Sequence, residues 1–218
     1  MALDNYKQKI NARHSITNLG PIHWLLGIKI TRNHDSCMLA LSQESYIDNI
    51  ICKFNLSNAK PINTPMTPNI SYSTQDGPAD ETEAMHMAKV PYREAIGSLM
   101  YASVVTRPNS SFTVSTLSQF LENLGEGHWE AVKRVFHYLT ATRTHMLMYG
   151  GERHELIGYT DADGASQDHR QAISGLIYLI DGGTILWHSC KQELVTLSTA
   201  KAEYVAAMHA AKEGIWLQ

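Results

Sequence analysis

The chain has 218 residues and a formal net charge of −3; 44% of its residues are hydrophobic and 18% are charged. This composition excludes wholesale disorder, collagen and a coiled coil, and the length suits one large domain or two small ones. The slightly acidic balance also excludes a nucleic-acid clamp that binds through bulk positive charge, although it leaves room for a local basic groove.

Short apolar runs and the cysteine pattern predict the compartment. The longest runs, such as residues 176–180, fall far short of the roughly 20 residues that span a bilayer. The polar N-terminus contains no apolar signal core. The three cysteines form no CxxC pair and no even disulfide framework, which favours reduced thiols. We expect an intracellular protein, cytoplasmic or nuclear, with no membrane partner.

The first part of the chain predicts a frayed end followed by a hairpin and a helix. Residues 1–18 are polar and are expected to be disordered or frayed. In the segment 19–59, residues 23–31 read as one strand, the turn lies at 33–36, and residues 37–41 form the partner strand. A helix follows from Ser42 or Gln43 to about Phe54, with apolar residues at helical spacing.

The middle of the chain divides into a linker and a helical region. Residues 60–91 hold five prolines and lack apolar periodicity, which predicts a linker. Residues 92–153 are expected to be mainly helical: one helix spans 92–105, a second begins at Pro108, and a third runs from Trp129 to about Thr142.

From residue 154 the pattern changes to strands. Residues 156–160, 174–180 and 184–190 read as three strands, the last two joined by a hairpin turn at 181–183. Ser198 or Thr199 then caps a helix that continues to Gln218. The prediction is an α+β protein in which a helical lobe with an N-terminal hairpin precedes a unit of three antiparallel strands and one helix.

Three carboxylates of this last unit are the candidate catalytic and metal-binding groups. Asp161 ends the first strand, Asp163 follows two residues later, and Glu203 lies about one turn inside the last helix. Glu203 shares a helix face with Ala207, Ala210 and Gly214, and these small residues would let the helix lie close to the sheet. Clustered carboxylates repel each other unless a cation lies between them, and oxygen ligands favour Mg²⁺. The alternative is that the aspartates only end a strand while Glu203 is a solvated acid that favours the helix dipole.

Histidines and basic residues give weaker signals. The 11 histidines show no HxxxH or HExxH spacing, so surface and core positions are favoured over a zinc site. Lys133, Arg134, Arg143 and Arg153 could face a nucleic-acid backbone, although a solvated helix face is the default. His169 and Arg170 follow the acidic strand and could contact phosphate, but a polar loop is the simpler interpretation.

Several long runs together resemble one protein family. The run LGPIHWLLGIKITRN…LSQESYIDNIICKFNLSNAKPINTPM resembles the segment that follows the polymerase site in copia-type LTR retrotransposon Pol polyproteins. YREAIGSLMYASVVTRPNSSFTVSTLSQF resembles the connection region that comes next. GYTDADGAS, ISGLIYLIDGGTILWHSCKQ and LVTLSTAKAEYVAAMHAAKEGIWL resemble the start of the family's ribonuclease H domain. The resemblance covers nearly the whole chain, in the family's order.

The resemblance implies a fold and a reaction. Residues 19–59 would be a thumb-like C-terminal segment of a reverse transcriptase, 92–153 its connection region, and 154–218 a truncated ribonuclease H-like domain. The family cleaves the RNA strand of an RNA–DNA hybrid with Mg²⁺. By resemblance, Asp161 would be the first catalytic aspartate and Glu203 the helix glutamate, and Asp163 would match a nearby acid.

The departures from the family pattern point to weak or absent activity. The chain ends before the family's next catalytic aspartate, and Gly164 and Lys201 stand where the family usually has Trp and Glu. At the third helical position Lys201 cannot complete a capping box, and it adds a cation at the positive end of the helix dipole. In the ribonuclease H fold a further strand pairs beside the first, so its absence would expose an edge that favours self-association.

Three hypotheses follow from these patterns. The first is a retrotransposon-derived fragment with little or no activity alone, whose partners are the rest of the Pol polyprotein and an RNA–DNA hybrid. The second is a non-catalytic module that binds nucleic acid or a retroelement protein. The third is residual hydrolysis, after dimerisation or with the rest of the polyprotein supplied.

Overall fold

A computed structural model describes residues 2–68, 70–150, 155–163 and 171–218. The described chain is an α+β protein, with two antiparallel sheets around a helical core. Its elements in chain order are α1 Ala2–Asn11, β1 Trp24–Leu25, β2 Ile28–Asn33, β3 Met38–Ser42, α2 Glu44–Lys53, α3 Glu81–Met87, α4 Tyr92–Val105, α5 Ser111–Leu117, α6 Glu126–Ala141, β4 Leu147–Tyr149, β5 Ile157–Asp163, β6 Ile173–Ile180, β7 Gly183–Lys191 and α7 Thr199–Leu217. In this described part, no helix is long and apolar enough to cross a membrane.

The N-terminus differs from the prediction of a frayed end, because α1 forms within it. Asp4 in the first turn and Lys9 in the last turn complement the helix dipole. Nearly all side chains of this helix are exposed. Its local charges therefore support it with little help from packing.

The first sheet corrects two predictions. The expected single strand at 23–31 is a hairpin, in which β1 and β2 are joined by Leu26 and Gly27, with φ of +51° and +79°. Two positive φ values make the tight turn that suits strand twist, and the apolar run conceals it in the sequence. In addition, β4 pairs with β3, so a strand lies within the region expected to be helical. Three residues are too short to show periodicity, and their pairing with β3 joins segments that are far apart in the sequence.

The helical core follows the predicted apolar spacing. Helix α4 has the predicted bounds, while α6 begins three residues before the predicted start at Trp129. The packed side chains of α2, α4, α5 and α6 are almost fully buried. They include Ile47, Ile50, Ile96, Leu99, Val114, Leu117, Val132, Val135, Phe136 and Leu139. The Tyr92 hydroxyl donates to the Leu117 carbonyl at 2.7 Å, which ties α4 to α5.

The segment 60–91 is more ordered than a linker. It contains a 3₁₀ turn at Thr74–Asp76 and helix α3, whose N-cap Asp80 accepts a hydrogen bond from the Glu83 N–H at 2.7 Å. The Asn123 side-chain amide donates to the Thr74 carbonyl at 2.8 Å, and Met87 is 4% exposed. Caps and tertiary contacts, rather than apolar periodicity, therefore order this segment.

The second sheet confirms the predicted order of three antiparallel strands and a helix. Strands β5, β6 and β7 lie side by side in that order, and the turn between β6 and β7 has Asp181 and Gly182 at φ +50° and +76°. Ser198 caps α7, and its Oγ accepts from the Lys201 N–H at 3.3 Å. Local signals, the hairpin turn and the cap, were sufficient to predict this unit.

Helix α7 packs on the sheet through a face different from the predicted one. Ala202, Ala206 and Ala210 are buried, whereas Glu203 and Ala207 are exposed. The packed face is therefore turned by about 50° from the predicted one. Ala210 and the half-buried Gly214 do lie on the packed side, where an added Cβ at Gly214 would come within 2.6 Å of the Tyr178 hydroxyl.

Candidate active site

Strand alternation decides which way the predicted catalytic aspartates face. Directly opposite residues of an antiparallel pair share a face, and Gly158 of β5 lies opposite Tyr178 of β6. The Tyr178 hydroxyl donates to the Ala210 carbonyl of α7 at 2.5 Å, so this face lies against α7. Asp161 and Asp163 are an odd number of residues from Gly158. They therefore lie on the face turned away from α7.

That opposite face borders a cleft of about 460 Å³ between the sheet and the start of α5. Phe112, Tyr159 and Trp187 line it together with both aspartates. The Trp187 indole N–H donates to the Ser103 carbonyl at 2.8 Å, which attaches β7 to α4. Both carboxylates thus border an apolar, aromatic cleft, a setting that the sequence pattern did not indicate because its walls come from distant segments.

Glu203 lies at the same end of the sheet but on the other side. The Gln192 side-chain amide donates to the Ala202 carbonyl at 2.9 Å and to Ser174 Oγ at 2.8 Å, and Ser174 pairs with Ala162 between the two aspartates. The first turn of α7 is therefore close to the end of β5. However, the Glu203 side chain is exposed on a helix that covers the face opposite to Asp161.

This arrangement does not fit a three-carboxylate Mg²⁺ site. The donor type is suitable, because hard oxygen ligands favour Mg²⁺. Within residues 2–68, 70–150, 155–163 and 171–218, however, no group of three or more His, Cys, Asp or Glu side chains converges as metal ligands would. The sheet separates Asp161 and Asp163 from Glu203, so the structure supports no catalytic step through a metal ion.

The structure describes one of the two positions at which the sequence departs from the family pattern. Lys201 occupies the third position of α7, and its backbone N–H completes the Ser198 half of the cap. Its side chain is exposed at the helix start, where a cation opposes the dipole. Gly164, Arg153, His169 and Arg170 lie outside the described residues.

One buried histidine has a structural role that scattered spacing did not reveal. His128 is fully buried and stacks on Phe120 with ring centroids 4.1 Å apart. Its Nδ1 accepts from the Gly125 N–H at 3.1 Å, as the third residue of a capping box does. Burial lowers the pKa of His128, and the nearby Asp76 only partly offsets that effect.

The basic residues singled out in the sequence do not form one surface. Arg143 lies 3.8 Å from Asp48, and both side chains are exposed. Lys133 and Arg134 instead face a cavity between α6 and the segment 62–76. This position could not be predicted without knowing that the expected linker folds back over α6.

Comparisons with known proteins show what the chain is similar to. It is 45% identical over 213 residues to the retrovirus-related Pol polyprotein from transposon TNT 1-94 of Nicotiana tabacum, covering 97% of this chain and 16% of that protein. It is 34% identical over 219 residues to the Pol polyprotein from transposon RE1 of Arabidopsis thaliana, covering 99% of this chain and 14% of that protein. The secreted RxLR effector protein 161 of Plasmopara viticola is 41% identical over 133 residues, which cover 60% of this chain and 94% of the effector.

The chain is thus similar in sequence to retrovirus-related Pol polyproteins from transposons. It spans about one sixth of the length of the tobacco relative. No family model matches the chain. No solved structure matches it either.

Proposed function

We propose that this chain corresponds to the thumb-like, connection and ribonuclease H-like part of a copia-type Pol polyprotein. In that context it would contribute to Mg²⁺-dependent cleavage of RNA in RNA–DNA hybrids, with Asp161 and Glu203 as catalytic residues and Asp163 as a further metal ligand. Alone, it would bind Mg²⁺ weakly and have little or no hydrolytic activity. Its partners would be the hybrid and the remainder of the polyprotein.

Homology to Pol polyproteins supports the first part of this proposal. The three antiparallel strands followed by a capped helix are compatible with the proposed ribonuclease H-like unit. The carboxylates lie at one end of that unit, on β5 and just after the first turn of α7.

The observation that carries the proposal of weak activity is the separation of these carboxylates. Asp161 is on the sheet face that borders the cleft, while Glu203 is on the helix that packs against the other face. A metal-activated water needs ligands held within about 0.5 Å of the productive geometry. A catalytic arrangement would therefore require α7 or β5 to shift, for which the rest of the polyprotein is the proposed cause.

The same separation favours a second candidate, a non-catalytic module that binds nucleic acid or a retroelement protein. Such a module would need neither converging carboxylates nor a metal ion. It differs from the first candidate in its response to mutation, because Asp161→Asn would leave hybrid binding unchanged.

The test is cleavage of an RNA–DNA hybrid, labelled on the RNA strand, with Mg²⁺ or Mn²⁺ supplied. The chain is compared with Asp161→Asn, Glu203→Gln and Glu213→Gln, the last being an exposed glutamate near the other end of α7. We expect no metal-dependent cleavage by the folded chain, and cleavage to appear when the remainder of a Pol polyprotein is added. That cleavage should be lost with Asp161→Asn and Glu203→Gln but kept with Glu213→Gln.

Two results would contradict the proposal. Strong cleavage by the chain alone, abolished by Asp161→Asn, would refute weak intrinsic activity. Cleavage in the completed system that survives both Asp161→Asn and Glu203→Gln would refute the catalytic assignment. Hybrid binding without cleavage in every combination would favour the second candidate.

A further inference from the structure

A cavity of about 810 Å³ lies between helix α6 and the segment that arches over it. The start of this segment is attached to α6 by two backbone contacts: the Lys60 carbonyl accepts from His137 Nδ1–H at 2.9 Å, and the Ile62 N–H donates to the His137 carbonyl at 3.4 Å. Its end is held where Asn123 donates to the Thr74 carbonyl at 2.8 Å. The described residues between these two attachments, 60–68 and 70–74, are called the strap, and several of them line the cavity. The volume is in the range of small-molecule and cofactor sites.

Helix α6 contributes three basic side chains to the lining of the cavity. Lys133, Arg134 and His137 all line it, and their spacing of one, three and four residues puts them on one side of the helix. Arg134 is oriented by a hydrogen bond from its Nη2 to Thr64 Oγ1 at 2.8 Å. This contact links the guanidinium to the segment that arches over the cavity.

The acidic groups that line the cavity have partners of their own. Glu130 accepts from Lys133, and Asp76 Oδ2 accepts from the Ser73 N–H at 2.8 Å. Lys133 has three N–H donors, so its pairing with Glu130 leaves two for another acceptor. Among the described residues, no carboxylate pairs with Arg134.

Arg134 also has a donor without a partner. Its Nε is inaccessible to solvent and makes no hydrogen bond within the described part of the chain. A buried unsatisfied donor of a charged group is costly, so the described protein contacts alone do not account for the position of this guanidinium. The planar guanidinium fork matches the oxygens of a phosphate group.

The remaining walls suit a planar, mostly apolar group. Ile62, Ile70 and Tyr72 also line the cavity. Burial raises the pKa of Tyr72, and Arg134 is the charge that opposes this shift, so the phenol and the guanidinium are close to each other. One ligand could thus contact an aromatic ring and a cation at the same time.

We propose that this cavity binds a phosphorylated ligand of nucleotide size, with the phosphate on Arg134 and Lys133 and the planar base against Tyr72. The ligand is either a free nucleotide or one residue of a nucleic-acid strand, since both present the same phosphate and base. This site is distinct from the predicted catalytic carboxylates, and it does not depend on the proposed hydrolase activity.

Calorimetric titration of the full chain with adenosine 5′-monophosphate tests the proposal, with adenosine as the matched ligand that lacks the phosphate. We expect the monophosphate to bind more tightly than adenosine. Loss of charge-assisted hydrogen bonds in Arg134→Gln should weaken its binding by about tenfold or more. Arg134→Lys should restore part of the loss, and Lys212→Gln, an exposed lysine of α7, should bind like the original chain.

A further variant separates ligand binding from support of the strap. Thr64→Val removes the contact between Arg134 and the strap but keeps the guanidinium, and it should retain nucleotide binding. The proposal is overturned if adenosine binds as tightly as its monophosphate, if Arg134→Gln binds unchanged, or if Thr64→Val weakens binding as much as Arg134→Gln. Competition by a single-stranded oligonucleotide, with the same dependence on Arg134, identifies the strand as the source of the phosphate; lack of competition identifies the free nucleotide.

Discussion

Arg107 offers a direct test of what stabilises the C-terminal end of α6 in the helical core. Its side chain is 2% exposed and lies where α6 ends. Nη1 donates to the His145 carbonyl at 2.6 Å and Nη2 to the Arg143 carbonyl at 3.1 Å, with a longer contact to the Thr142 carbonyl at 3.3 Å. These carbonyls belong to the C-cap Thr142 and to the turn that follows α6, so this one side chain satisfies backbone acceptors just beyond the end of the helix.

We expect Arg107→Met to lower the free energy of unfolding by about 3–5 kcal/mol. Hydrogen bonds that involve a charged group contribute about 1.5–3 kcal/mol each, and two of those made by Arg107 are short and well inside the chain. The cost of burying the guanidinium, which lowers its pKa, offsets part of this sum. The expected loss is a large fraction of the 5–15 kcal/mol that is typical of a domain.

Urea unfolding followed by circular dichroism measures this loss. The matched control is Arg93→Met, the same substitution at an exposed position of α4, which should change stability by less than about 0.5 kcal/mol. Arg107→Lys should recover only part of the loss, because an ammonium cannot reach three carbonyls with the geometry of a fork. If Arg107→Met lies within about 1 kcal/mol of the original chain, the capping role is refuted.

Three other predictions concern pH, packing and association. The pKa of buried His128 is lowered below the value near 6.5 of an unfolded chain, so its contribution to stability is fully present above about pH 6.5 and is lost as the pH falls through the folded-state pKa. His128→Gln should keep the bond to the Gly125 N–H and flatten the pH dependence of urea midpoints. Gly125→Ala should destabilise by about 1–3 kcal/mol, because the new Cβ would lie 1.8 Å from the Asp76 carbonyl oxygen. In sedimentation velocity at tens of micromolar the chain should self-associate through β5, whose pairing in the described sheet is with β6 alone, and Tyr159→Lys should weaken that association.

Each of these predictions has its own control. If the acid-dependent loss of stability is equally steep in His128→Gln, groups other than His128 cause that loss. Gly127→Ala adds a Cβ into open space in the first turn of α6 and should be neutral or slightly stabilising; equal damage from both glycine variants would count against the steric argument. A purely monomeric chain, or association that Tyr159→Lys leaves intact, would exclude β5 as the interface.

Local sequence patterns were sufficient to predict the elements whose conformation depends on neighbouring residues. The apolar spacing of residues 92–105 predicted α4 with its observed bounds, and the cap of α7, predicted at Ser198 or Thr199, is Ser198. The hairpin signal at Asp181 and Gly182 likewise predicted the joining of β6 to β7. In each case, the residues that determine the conformation are within a few positions of one another.

The errors arose where a distant partner or a single backbone angle decides the outcome. Leu26 adopts a positive φ inside an apolar run, so one expected strand became two. Strand β4 exists because β3 supplies its hydrogen bonds across more than 100 residues of sequence. The segment 60–91 is ordered by its contacts with Asn123 and His137, which apolar periodicity does not report.

The sequence by itself determined the class of the chain, since residue type and order carry the homology to transposon Pol polyproteins. It also determined the unit of three strands and a helix on which Asp161 and Glu203 lie. Only the tertiary structure decided that these two carboxylates are on opposite sides of the sheet, because the choice depends on which face of β5 the helix covers. It likewise decided that Arg134 faces a cavity, because a segment without periodicity folds back over α6 and is held there by side-chain contacts with its backbone.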